Sequence, residues 1–186
     1  MPNHVQNRIT FDVPLENILS VLRKNKTEET KDVDFSFQWI IPEPNSKDEC
    51  PKEYIDNGDA NVTHNDGKDW FNWYDWHCHF WGTKWDCYNV EIFCDQLEFQ
   101  TAWSSPGPIF EKLTELFPNI PFTVQYADED LGCNCGEIYY NGDGSDLEYI
   151  NMDEEHTSEE SLRFACDVWG LDYEEEMEYR KEENDD

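Results

Sequence analysis

Between Lys112 and Arg163 the chain carries no lysine or arginine, yet it holds Glu115, Asp128, Glu129, Asp130, Glu137, Asp143, Asp146, Glu148, Asp153, Glu154, Glu155, Glu159 and Glu160. Carboxylates in such number can exchange protons, hold a metal or present charge. Proton exchange needs a pair set apart by its surroundings, and acids this numerous give no reason to single one out. No GxSxG, P-loop or HExxH accompanies them, and no glycine-rich cradle precedes a helix, so the chain is read as a non-enzyme. Calcium would find oxygens at Asp128 to Asp130 or at the Asp143 turn, but neither segment matches the twelve-residue EF-hand loop. Presentation of charge remains. A charge run is ordinarily a solvated face; here the acids fall on a strand end, a hairpin and a helix, which would hold them in fixed places. Duplex DNA places one charge per ~1.7 Å of axis, a spacing that ordered carboxylates can imitate. Asp128, Glu129, Asp130, Glu137, Asp143, Asp146, Glu148, Asp153, Glu154 and Glu155 are therefore the candidate surface for a basic, nucleic-acid-gripping protein. Plain solubility is the competing account.

A second group is soft. His77, Cys78, His79 and Cys87 lie close together, and Cys133 and Cys135 form a CxC. Structural zinc wants paired Cys-x₂₋₄-Cys or helical histidine spacings, and neither is present. Buried thiols and hydrogen-bonded histidines fit better, so neither a metal nor another cofactor is expected. Lys84 is a lone cation within WGTKWD. It is either a snorkelling lysine paired with Asp86 and packed on an indole, or the anion-binding lysine of a nucleotide-type pocket built by Trp81, Lys84, Trp85 and Asp86. The second version would make the chain a small-ligand binder or an enzyme.

Composition narrows the partners. The 186 residues carry a formal charge of −30 and a sequence pI of about 4.1. A polyanion repels nucleic acid, so direct nucleic-acid binding is not expected and a basic protein is. Hydrophobic content is low at 38%, but the aromatic share of 15% supplies bulk for a core. Seven cysteines, an odd number, fit a reducing cytosol better than a disulfide framework. No apolar run approaches the ~20 residues of a membrane span. The expectation is one soluble intracellular domain.

The elements that must position these groups follow from periodicity. Val5 to Val13 alternates as a strand, and Leu15, Ile18, Leu19 and Leu22 form a helical stripe behind Pro14. Phe35 to Ile41 is apolar and β-prone, and a polar insertion follows at about 43–70. Trp70 to Trp85 is too aromatic to follow one period. Tyr88–Cys94 and Gln96–Trp103 read as strands joined at Asp95-Gln96, Pro108 starts a helix that Pro118 stops, and Phe122–Tyr126 is another strand. Glu137–Tyr140 and Leu147–Ile150 form a hairpin around Asn141-Gly142-Asp143-Gly144. Thr157 and Glu160 propose a capping box, Gly170 a C-cap, and Asp172–Lys181 a last helix.

Strand, helix, strand pair, helix, strand is the split βαβ order. PNHVQNRITF, FQWIIPEP, WGTKWD, TAWSSPGP and YADEDLG occur in that sequence. As a set they resemble the YubB ferredoxin-like domain family of phages and bacterial plasmids, over about residues 1–142. The resemblance implies a ferredoxin-like α+β fold and a mobile-element setting, with no settled catalytic residues. The whole reading is an α+β, ferredoxin-like antiparallel sheet with helices on one face over residues 1–152, and an acidic C-terminal helical extension at 153–186. Its expected role is that of a phage or plasmid accessory protein, acting in the host bacterial cytoplasm against a defence protein of the CRISPR or restriction kind.

Overall fold

The computed structural model describes residues 3–56, 68–141, 147–151 and 158–184. β1 (His4–Phe11) sends Val5, Asn7, Ile9 and Phe11 to one face and His4, Gln6, Arg8 and Thr10 to the other. α1 (Leu15–Leu22) follows directly, with Leu15, Ile18, Leu19 and Leu22 buried. A long irregular stretch leads to α2 (Trp73–Phe80), and then come β2 (Tyr88–Ile92), β3 (Gln96–Ala102), α3 (Gly107–Leu116) and β4 (Phe122–Asp128). β5 (Cys135–Tyr140), β6 (Leu147–Asn151), α4 (Glu159–Trp169) and α5 (Tyr173–Asn184) complete the described elements.

The strands form one sheet in the order β2-β3-β1-β4-β5-β6, with every neighbour antiparallel. Its first four members, with α1 and α3, are the ferredoxin-like unit, and β5 and β6 widen it. Register puts Ile9 opposite both Leu97 and Val124, so the strand pairs share one apolar face. Leu19, Leu22, Ile109, Phe110 and Leu113 all pack on that face with Phe11, Phe99 and Phe122, which places α1 and α3 on the same side of the sheet as expected.

The other face is polar and has its own layer. Arg8 donates to Glu98 at 2.9 Å and to Asp167 of α4 at 2.8 Å, while Gln125 donates to Glu137 at 2.8 Å. α4 lies here because Ala165, Cys166 and Val168 meet Ala127 and Cys135, small residues that leave room for a helix. Trp169 pins its end by donating Nε1 to the carbonyls of Ala127 and Asp128 at 3.1 and 3.0 Å. Gly170 closes the helix at φ 67°, the left-handed cap a glycine adopts without strain.

Several local expectations fail for identifiable reasons. Phe35 to Ile41 is not a strand but a 3-10 turn at Phe37–Trp39, because the Ser36 hydroxyl accepts from the Gln38 amide and Asp86 accepts from the Phe37 amide. The aromatic stretch does contain a helix, α2, capped by Asn72 accepting from Asp75. Its buried side carries Trp76 and His77, and Tyr74 and His79 on the exposed side hid the period. β2 and β3 are joined by Phe93–Asp95, closed by the Phe93 amide on the Gln96 carbonyl at 2.8 Å, instead of a two-residue turn at Asp95-Gln96. The cap of α4 is Ser158, which accepts from the Ser161 amide at 3.1 Å. Thr157 and the hairpin tip at 142–146 lie outside the described residues.

The core is aromatic. Trp39, Trp81, Phe37, Phe71 and Phe99 are each 0–1% exposed, with ring pairs such as Phe37–Trp81 edge-on at 5.8 Å. This offsets the shortage of aliphatics, and truncating one such ring costs roughly 3–5 kcal/mol.

Candidate functional site

The end of the sheet where β1 starts and where β3 and β4 finish is fastened by polar side chains. Asn7 is fully buried; its amide donates to Thr101 Oγ1 at 2.9 Å and its Oδ1 accepts from Ser105 Oγ at 2.6 Å. Thr83 Oγ1 donates to the Ala102 carbonyl and accepts from the Ala102 amide, and Ser104 donates to the Gly82 carbonyl. Gly82 sits at φ 74°, where an added Cβ would lie 2.8 Å from Pro108 Cδ, so only glycine allows the two loops to meet. The TAWSSPGP loop is thus tied to both β1 and WGTKWD.

WGTKWD is tied in turn to FQWIIPEP. Trp81 Nε1 donates to the Ile41 carbonyl at 2.9 Å, and Asp86 accepts from Ser36, from the Phe37 amide at 2.8 Å and from the Cys87 amide at 2.8 Å. Burial pushes the Asp86 carboxyl up, and those hydrogen bonds only partly reverse it. His77 lies flat on Trp81 with centroids 3.9 Å apart. Its Nε2 lies 2.6 Å from Glu43 and its Nδ1 3.0 Å from the Lys84 carbonyl, so both ring nitrogens have a partner. Burial raises the Glu43 carboxyl, but the His77 hydrogen bond and charge, together with Lys68, outweigh it and hold the group below its usual range.

The fifth stretch, YADEDLG, closes the circle. Asp128 is 5% exposed and accepts from Asn3 Nδ2 at 3.2 Å, the Asp130 amide at 2.9 Å and Asn134 Nδ2 at 3.5 Å. Glu129 accepts from the His4 amide at 3.1 Å. All five stretches therefore build one hub at one sheet end.

Of the singled-out polar groups, Asp86, Asp128, Glu129 and His77 serve that hub. Asp128, expected at the surface, is buried because it is the acceptor that holds Asn3, Asn134 and the following turn. Glu137 is half-buried and receives Gln125. Trp81 is 1% exposed and Asp86 is held inside a turn, so with Lys84 and Trp85 they form no open pocket. Lys84 does not pair with Asp86; its ammonium lies over Trp85 at 4.7 Å and Trp103 at 5.0 Å. His77 is a hydrogen-bonded core histidine, and His79 is exposed against Tyr54 and Phe80. Among the described residues no group of three or more His, Cys, Asp or Glu is placed to hold a metal. Asp143, Asp146, Asp153, Glu154 and Glu155 lie outside the described residues, and of Glu148 only its place in β6, opposite Tyr139, is described. A cleft of about 220 Å³ does open beside the hub, lined by Ser104, Ser105, Gly107, Phe110, Tyr126, Asn134 and Ile138. None of the expected pocket residues borders it.

The acids of the C-terminal half divide in two. Asp167 pairs with Arg8, Glu159 and Glu174 with Arg163, Glu176 with Arg180, and Asp172 caps α5 through the Glu174 and Glu175 amides. Asp130, Glu160, Glu175 and Glu178 are exposed and make no ion pair among the described residues. Sequence reasoning also missed Trp103, placed inside a strand but standing 41% exposed just past the end of β3. Its signal was the Ser-Ser-Pro-Gly-Pro that follows it, a run that cannot continue a strand.

Residues 80–182, more than half of the chain, match the family described as the ferredoxin-like domain in Api92-like protein. The chain belongs to this family. The match opens inside α2 and runs into α5, so β1, which fills the centre of the sheet between β3 and β4, lies ahead of it. No curated protein matches, and no solved structure matches. Among the described residues no helix is long and apolar enough to cross a membrane.

Proposed function

We propose that this member of the ferredoxin-like family is a binding protein, not an enzyme, whose acidic side occupies the nucleic-acid-gripping surface of a basic partner. The observation that carries the reading is a set of exposed carboxylates, making no ion pair among the described residues, on the anchored helix α4 and on α5 beside it. α4 is anchored through Ala165, Cys166, Val168 and Trp169, yet Glu160 on it and Glu175 and Glu178 on the adjoining α5 face solvent. Like charges held in place cost self-repulsion, which solubility alone explains in number but not in clustering. Occupation of a cationic groove relieves that repulsion and competes with phosphates for the same lysines and arginines.

The finer reading follows the likeness to the YubB proteins of phages and plasmids. In that setting the partner is a host defence protein, of the CRISPR or restriction kind, met in the bacterial cytoplasm, and the consequence of binding is inhibition. A nucleotide pocket at WGTKWD has less in its favour, because Trp81 and Asp86 are spent on the core and on a turn.

The test is capture of partners from bacterial lysate on the tagged protein at low salt, in parallel with a Glu160→Gln, Glu175→Gln, Glu178→Gln variant. The reading expects nucleic-acid-binding proteins that elute as salt rises and that the triple variant retains less. Equal capture by both proteins, or a set without nucleic-acid binders, would count against it.

A further inference from the structure

Trp103, the residue after β3, sits at φ 72°, a conformation that a bulky side chain rarely adopts. Neighbouring groups hold it there: its amide donates to the Asn3 carbonyl at 2.9 Å, and Asn134 Nδ2 donates to its carbonyl at 3.4 Å. Asn3 and Asn134 are the same residues that grip the buried Asp128. The turn that carries exposed Glu129 and Asp130 is thus tied to the indole's backbone.

The surroundings of this indole are aromatic and hold one cation. Lys84 places its ammonium between Trp85 and Trp103, and Tyr74 stands edge-on to Trp103 at 6.1 Å. In a chain with 43 acidic residues, Lys84 makes no ion pair among the described residues and rests on two rings instead. The chain's own lysine shows the chemistry these faces hold: a cation over aromatic rings. Tyr74 is 37% exposed and Trp103 41%, so the patch opens to solvent.

We infer that Trp103, with Trp85 and Tyr74, is the aromatic anchor of the partner surface and receives an arginine or lysine side chain from a basic protein segment. Glu129 and Asp130 meet the cations flanking that side chain. Lys84 fills the site in the free protein and yields to the incoming cation. Arginine is preferred, because its planar guanidinium stacks on an indole and is more weakly hydrated than an ammonium. Nucleic-acid bases also stack on indoles, but their phosphates meet Glu129, Asp130 and the overall charge of −30. The inference rests on the basic-partner reading above and adds the contact that gives it specificity.

The full chain is titrated into a fluorescein-labelled peptide of alternating arginine and glycine and, separately, into a labelled single strand of thymidylates. Anisotropy is read at low and at near-physiological salt, while the Trp103 indole N–H is followed by NMR and assigned with Trp103→Phe. The peptide should bind and shift that resonance. Trp103→Ala should weaken binding roughly two- to five-fold with the salt dependence retained, and Lys84→Gln should tighten it by a similar factor. Should Trp103→Ala fail to fold, Lys84→Gln and the wild-type resonance decide. Wild-type affinity in Trp103→Ala, no tightening in Lys84→Gln, or an unmoved indole signal overturns the anchor. The acidic-surface reading survives that result if the Glu160, Glu175, Glu178 glutamine variant still weakens binding, and falls with it if that variant also binds as wild type. Trp103-dependent binding of the thymidylate strand without binding of the peptide assigns the patch to bases and overturns the inference.

Discussion

Asp128 gives the sharpest separation between a structural and a presented carboxylate. Its two oxygens receive three N–H groups, from Asn3, Asp130 and Asn134, at 5% exposure. In Asp128→Asn one oxygen becomes an NH₂, so at least one of these donors faces another donor, and the charge that strengthened the remaining bonds is gone. Hydrogen bonds to a charged group contribute roughly 1.5–3 kcal/mol. For a chain of this size each kcal/mol moves Tm by roughly 2–4 °C, so the midpoint should fall by about 3–12 °C. Asp128→Lys should cost more, since it buries a cation where donors already point. Asp130→Asn, two residues on and exposed, should stay within about 0.5 kcal/mol of the parent. Thermal and urea unfolding of the variants side by side is the assay, and the Trp103 indole resonance should shift in Asp128→Asn as Asn3 and Asn134 let go. Equal stability of Asp128→Asn and Asp130→Asn would refute the hub as described.

Other outcomes follow from the same geometry. Glu43→Gln should lower stability at neutral pH by roughly 1.5–3 kcal/mol. Because the folded Glu43 carboxyl lies below its usual range, that contribution is present above the ordinary carboxylate pKa and lost as pH falls through the folded value, so parent and variant should converge in acid, as urea melts across pH will show. Added salt should raise Tm of the parent at neutral pH by screening a charge of −30, and a flat or falling Tm would remove self-repulsion as a significant cost. Cys78 and Cys94 are exposed and should react with a thiol reagent in the native state, whereas Cys50, Cys135 and Cys166 are buried and should react only on unfolding.

Element order was legible because it depends on local pattern. Val5 to Phe11 alternates, Leu15 to Leu22 keeps a helical stripe, and Gly170 marks a helix end, whatever the rest of the chain does. The turn at Phe37–Trp39 was not legible, because its deciding partner, Asp86, lies far along the chain. Trp81 and Asp86 looked like a pocket with Lys84 since sequence neighbours suggest a shared site, but packing sends Trp81 inward and Lys84 outward to Trp103. Asp128 could not be told from Asp130 by composition; only long-range donors from Asn3 and Asn134 distinguish them. Trp103 was hidden for the same reason, since its left-handed backbone is enforced by those residues and not by its own preference.

On the proposed reading, the acidic side and nucleic acid compete for the same surface of a partner. The most direct measurement is competition: a captured nucleic-acid-binding protein is first saturated with its DNA or guide RNA, and association of this chain is then measured. Saturation should abolish or strongly weaken association, and excess chain should displace the nucleic acid in return. Equal binding to the free and the nucleic-acid-filled partner would contradict it, and the carboxylates of α4 and α5 would then be only a solvated face.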